Sequence, residues 1–293
     1  MDNNNVQAGL ANISTKAEIK ALDNMHNQFG GTTTYNNNDN SQQILQQNFI
    51  INVLPGTNVD EAIKKALSYG NKNAKEVGIE VEKLLAENNI SEEKVKERLS
   101  NPEVLSTIAK ANEVAYTTND DENKKTLSDL IYSKIVATDD EYSNALSQAI
   151  ALMKNLTNNH LKIVAFIYLL QSKYLKYNTN TKNFIEFYNK YVANLINIPN
   201  KKLSDLGSAV LGNGLAVAYT LGWNVVSFLP NNFYDASDGR YIDNIDIKSK
   251  ISTLDATCNH LGISSSFLTP VGKCIGYSYL KDVLGLDVIY KDK

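Results

Sequence analysis

From residue 57 onward, helix-start signals recur at short intervals, each followed by apolar residues three or four positions apart. After Pro55-Gly56, Thr57 or Asn58 can cap a helix carrying Val59, Ile63, Ala66 and Leu67, with Asp60 and Glu61 in its first turn. Val77, Val81, Leu84 and Leu85 continue that pattern. Ser91 caps a short helix with Val95 and Leu99, and Asn101-Pro102 opens another through Val104, Leu105, Ile108 and Ala111. The stretch TTNDDENK (117–124) reads as a polar loop, with a helix expected over 125–137. Thr138 and Glu141 then fit a capping box, in which hydroxyl and carboxylate each satisfy a free backbone N–H. Thr157 precedes LKIVAFIYLLQSKYL, the most apolar helical stretch, which Lys162 interrupts. A broad apolar face of Phe184, Phe187, Tyr188, Tyr191, Val192 and Leu195 predicts a helix over 181–196, ended by Pro199.

These signals fix the fold class as mainly α: a multi-helix body with a short N-terminal strand and a small α+β C-terminal part. Three regions follow: a tail and strand over 1–56, a helical body over 57–200, and a C-terminal α+β region over 201–293. The 293 residues are 43% hydrophobic and 21% charged, enough apolar material for a substantial core. No internal repeat of fixed period is present.

The first region differs in kind. Its first 48 residues hold eleven Asn and six Gln, with Gly30-Gly31 followed by Thr32-Thr33-Thr34-Tyr35. So few large apolar residues cannot offset the ordering entropy of the segment by themselves. Only Lys16 to Met25 has helical spacing, enough for a transient helix. From Gln47 to Val53, QNFIINV is β-branched and aromatic and is stopped by Pro55-Gly56, a strand signal. Asn/Gln ladders and Thr-rich strands stack in register when net charge is low, and an exposed strand pairs edge to edge. Gly30, Gly31, Tyr35, Phe49, Ile50 and Ile51 are therefore the expected self-association residues, against the plainer reading of a flexible tail.

From Leu206 to Tyr234 there is no charged residue, and Gly207, Gly212, Gly214 and Gly222 are scattered through that stretch. It is long enough for a membrane helix, with Lys201 and Lys202 before it and Asp235 after it. Asn213, Asn224 and the glycines favour a buried, two-part core segment instead. A helix around 248–261 follows, and then Thr269 and Pro270 open a last one carrying Ile275, Tyr279, Leu280 and Val283. LTPVG ahead of that helix fits a winged-helix-like unit. Residues 231–293 nonetheless carry seven basic and eight acidic side chains, without the basic excess that duplex binding needs.

Chemical motifs are weak. Gly212-Asn213-Gly214 lacks the third glycine of a dinucleotide loop, Val217 standing there, so close packing or a turn is the better use of these glycines. Asp235, Asp238, Asp243 and Asp246 fail as a calcium loop: with Gly239 sixth, Tyr234, Ala236 and Ile245 fall where oxygen ligands belong. Cys258, His260 and Cys274, with Asp255, offer metal-binding atoms at a spacing that matches no zinc pattern, and a buried, hydrogen-bonded histidine is favoured. His26 and His160 stand alone. No catalytic residue, metal or cofactor is expected, and the enzyme question leans to no. The opening MDNNNVQAGLANIS lacks a basic n-region and an apolar h-region, and two unpatterned cysteines suit a reducing compartment, so a cytoplasmic protein is expected.

Four segments carry a resemblance: ANEVAYTTNDDENKKTLSDLI from residue 111, NALSQAIALMKNLTNNHLKIVAFIYLL from 144, LSDLGSAVLGNGLAV from 203 and LTPVGKCIGYSYL from 268. Together they resemble an uncharacterised bacterial protein family known only by locus-tag names, a resemblance that implies no activity or functional residue. Separately, the N-terminal composition is similar to amyloid-like adaptor segments of bacterial immune systems, which implies an anti-phage role. The expectation is a non-enzymatic, self-associating interaction or effector protein, a homo-oligomer with room for a protein partner and no nucleic acid. The alternative is a membrane-acting effector working through 206–229.

Overall fold

Several helices begin where a short polar side chain takes up an orphan N–H. The computed structural model describes residues 59–172, 183–218, 229, 234–235, 240–241, 244–264 and 266–286. The helices are α1 (Val59–Glu87), α2 (Glu92–Leu99), α3 (Pro102–Thr117), α4 (Asp121–Val136), α5 (Asp140–Leu152) and α6 (Asn158–Gln171). Then come α7 (Phe184–Phe187), a π-helical turn (Tyr188–Val192), α8 (Ala193–Ile196), α9 (Asn200–Gly212), α10 (Ile245–Leu261) and α11 (Pro270–Ser278), the last running into a second π-helical turn (Tyr279–Val283). The strands are β1 (Ala216–Ala218), β2 (Tyr234–Asp235), β3 (Arg240–Tyr241) and β4 (Ser266–Leu268). The described fold is mainly α, as the sequence predicts. The expected strand 47–53, the transient helix and all six self-association residues lie outside the described residues. The chain divides into two units, 1–68 and 69–293, and of the first only 59–68 is described, as the opening turns of α1.

Ser91, Asn101 and Thr269 cap α2, α3 and α11 as expected, accepting the N–H groups of Lys94, Glu103 and Gly272. Two boundaries differ from the sequence reading. The polar stretch 117–124 is largely helix, because Asp120 accepts the Asn123 N–H at 2.9 Å and Asp121 and Glu122 sit favourably in the first turn. One residue past the expected cap, Asp139 rather than Thr138 starts α5, its carboxylate accepting the Tyr142 N–H at 2.7 Å. A carboxylate interacts more strongly with a helix N-terminus than a hydroxyl does, which explains the shift. The helix expected over 181–196 is interrupted by the π-helical turn 188–192, which buries Tyr188 and Val192. Pro199 does more than end it, since it stands at the N-cap position of α9.

The core centres on α6, whose residues Leu161, Ile163 to Ile167, Leu169 and Leu170 are all buried. A helix apolar on every face belongs inside a protein, and α11 lies directly against it. That approach needs glycine: a Cβ on Gly276 would stand 2.7 Å from Tyr168 Cβ and 3.0 Å from the Val164 carbonyl oxygen. Gly207, similarly, lets α9 rest on the Leu261 carbonyl at the end of α10. Leu206, Gly207, Val210, Leu215 and Ala216 are buried, so the first part of the uncharged stretch is core, and Gly214 turns the chain with φ of 69°. No helix of the described residues is long and apolar enough to cross a membrane.

In the C-terminal part β1 and β4 pair antiparallel, with Val217 opposite Phe267. On the other edge of β4 the Gln171 side-chain amide takes the place of a strand. Its Nε2 donates to the Ser266 carbonyl at 2.9 Å and its Oε1 accepts the Leu268 N–H at 3.0 Å. Thus the end of α6 closes a sheet edge that would otherwise expose unpaired backbone groups.

Candidate functional site

Helices α4 and α6 both begin at one open cleft of about 440 Å³, completed by the end of α3 and by the 3-10 turn Met153–Asn155. Its walls are mostly amides and hydroxyls: Thr117, Thr118 and Asn119 on one side, Thr157, Asn158 and Asn159 on the other, with Asp120 and Lys154 also lining it. Met153 and Leu156 supply apolar floor. Local hydrogen bonds fix most of these groups. Thr117 and Thr118 both donate to the Val114 carbonyl, at 3.0 and 2.8 Å, and Asn119 Oδ1 accepts from Asn73 Nδ2 at 2.9 Å.

Asn123, buried on the first turn of α4, is held by its Nδ2, which donates to the Leu156 carbonyl at 3.1 Å. Its Oδ1 is buried and has no hydrogen-bond partner among the described residues. Across the cleft, His160 replaces the usual acidic residue of a capping box: its Nδ1 accepts the Thr157 N–H at 3.0 Å and lies 2.9 Å from the Thr157 hydroxyl. That role requires neutral imidazole, and burial pushes the His160 pKa down accordingly.

Tyr279 ties the two helix starts together. Its buried hydroxyl donates to Glu122 Oε2 at 2.7 Å and lies 3.3 Å from Asn158 Oδ1, while Lys162 approaches the same carboxylate at 3.8 Å. Burial first, then the hydrogen bond to Glu122, raises the phenol pKa far above its ordinary range. This tyrosine therefore acts as a fixed donor.

Further along α4 lie two charged side chains with no exposed surface, Asp129 and Lys134. Lys134 Nζ donates to Glu103 Oε1 at 2.6 Å, Ser143 Oγ at 2.6 Å and the Ser143 carbonyl at 3.1 Å, all its protons being engaged. Asp129 Oδ1 accepts from Lys281 Nζ at 2.6 Å, whereas its Oδ2 has no partner among the described residues. Burial and the Asp129 charge together push the carboxyl pKa of neighbouring Asp282 up to about 7, against the opposing pull of Lys281.

The sequence candidates fall elsewhere. Cys258 and Cys274 are both buried and free, and burial pushes each thiol pKa up to about 12, the reverse of what a nucleophile or metal ligand needs. His260 is exposed rather than buried, its Nδ1 lying 2.6 Å from the Ala256 carbonyl oxygen within its own helix, because position 260 faces away from the core side that holds Cys258 and Leu261. No group of three or more His, Cys, Asp or Glu side chains able to hold a metal occurs among the described residues. Asp238 and Asp243 lie outside them. The cleft residues escape motif reading, although a signal is present: Thr-Thr-Asn-Asp at 117–120 and Thr-Asn-Asn-His at 157–160 place similar polar runs at two helix starts.

A family model with the bare description "-like", for a family named by locus tag, matches residues 57–209. That is more than half of the chain and includes the whole cleft, and the chain belongs to this family. No curated protein matches the chain, and no solved structure does.

Proposed function

We propose that this protein is a non-enzymatic, self-associating interaction protein, assembled through residues 1–56 and presenting its helical body for recognition. The observation that carries this reading is the composition of the first region. An Asn/Gln-rich segment bearing Gly30, Gly31 and Tyr35 leads into the β-branched run holding Phe49, Ile50 and Ile51. Such a pairing of low-charge polar ladder and apolar strand stacks in register between copies. The body adds support, because α6 and α11 lie at the centre of a continuous apolar core built from residues 77–286. Its thiols are held protonated and its cleft is walled by amides and hydroxyls, a surface suited to recognition. Compositional similarity to bacterial immune adaptor segments makes anti-phage defence the setting in which such assembly would act.

Light scattering after size exclusion tests this on the full chain and on a Phe49→Lys, Ile51→Lys double variant. A defined oligomer or filament that becomes smaller in the variant is expected. Identical species for both chains would contradict it.

A further inference from the structure

We propose that the cleft between the starts of α4 and α6 binds a small zwitterion of the free amino-acid class, its ammonium end at Asn123, Asp120 and Thr118 and its carboxylate at the first turn of α6. This inference rests on the cleft alone and is independent of how residues 1–56 behave.

Asn123 provides the first argument. It is only 8% exposed and is one of the residues lining the open cleft, its Nδ2 is committed to the Leu156 carbonyl, and its Oδ1 is a buried acceptor without a partner among the described residues. A buried carbonyl is normally paired, so this oxygen calls for a donor from a ligand. Its neighbours on that wall are also acceptors. One oxygen of Asp120 takes the Asn123 N–H and leaves the other available, while the Thr118 hydroxyl donates to Val114 and keeps its lone pairs. An amide oxygen, a carboxylate oxygen and a hydroxyl oxygen match the three N–H donors and positive charge of a primary ammonium.

The opposite wall has the reverse character. Helix α6, fourteen residues long, begins at Asn158 with the first-turn N–H groups of Asn158 and Asn159 lacking intrahelical acceptors. Lys154 stands beside them on the same cleft. Asn158 Oδ1 faces the Tyr279 hydroxyl, leaving its Nδ2 to donate. Backbone N–H groups, a helix N-terminus and an ammonium make a carboxylate site. The volume of about 440 Å³ is within the range of about 300–1,000 Å³ usual for small-molecule sites.

The test is thermal unfolding and titration calorimetry of the full chain with free L-amino acids, first as a mixture and then singly. Controls are the same compounds N-acetylated and, separately, as methyl esters. At least one free amino acid should raise the unfolding temperature saturably at concentrations up to about 10 mM, and both blocked forms should lose the effect. Asp120→Asn retains a competent helix cap, so it folds as the parent does and should weaken binding about tenfold or more by removing the charge. Asn123→Leu should abolish binding, with circular dichroism confirming its fold. Absence of any saturable effect from the free amino acids would overturn the proposal. So would binding that survives N-acetylation or esterification, or that Asp120→Asn leaves undiminished.

Discussion

Asn123 and Asp129 stand on the same helix, and each carries a buried oxygen without a partner among the described residues. Their surroundings are opposite. Asn123 lines an open cleft, where a ligand can supply the missing donor. Asp129 has no exposed surface and is packed beneath α11 and the turn that follows it, with Lys281 on one of its oxygens. Asp282, buried and beside the same carboxylate, holds its own proton more tightly. An unsatisfied acceptor is thus a recognition element at an opening and a source of electrostatic stress when enclosed.

The enclosed site should give the largest effect. Lys281→Met leaves the Asp129 carboxylate buried without its cation, and a loss of about 3–5 kcal/mol is expected in urea unfolding. Lys134→Met sharpens the contrast. Its departure leaves Glu103, whose side chain is 55% exposed, free to turn to water, and a smaller loss of about 1–3 kcal/mol is expected. If both variants lost the same amount, exposure of the remaining partner would not be what matters.

The third prediction concerns pH. Because the Asp282 pKa is raised from 3.8 to about 7, the folded state binds its proton more tightly than the unfolded chain does. This favourable contribution is full below pH 3.8 and is lost as pH rises toward about 7. Asp282→Asn should flatten that part of the stability profile. His160 has the opposite sign: with its pKa below the ordinary 6.5, its contribution is present above that pH and is lost as pH falls through the lowered value. His160→Gln should remove that acid-side loss. At the open site the smallest effect is expected, since Asn123→Leu gives up the bond to Leu156 but also the unpartnered oxygen. Without ligand its stability should stay within about 1 kcal/mol of the parent.

Helix starts were legible because capping is local: Ser91, Asn101, Thr157 and Thr269 can be read from a few residues each. Asp120 was harder, since an acidic run at a helix start looks the same in sequence as a solvated loop, and at the start of α5 the neighbouring Thr138 and Asp139 both offer a cap. The cleft was hidden for a different reason. Asn123 meets Leu156 across 33 positions, and Tyr279 meets Glu122 across 157. Periodicity and spacing carry no record of such distant meetings. Nothing local in the sequence marks Lys134 and Asp129 as the charges that helix packing encloses, or Gln171 as the side chain that closes a strand edge.

Hydrogen-exchange mass spectrometry of the full chain, with and without the free amino-acid mixture, tests the contrast between open and enclosed sites most directly. Added amino acids should slow exchange in peptides spanning 117–124 and 153–160, leaving those that cover Asp129 and Lys281 unchanged. Unaltered exchange at both helix starts, or equal slowing around Asp129 and Lys281, would contradict it.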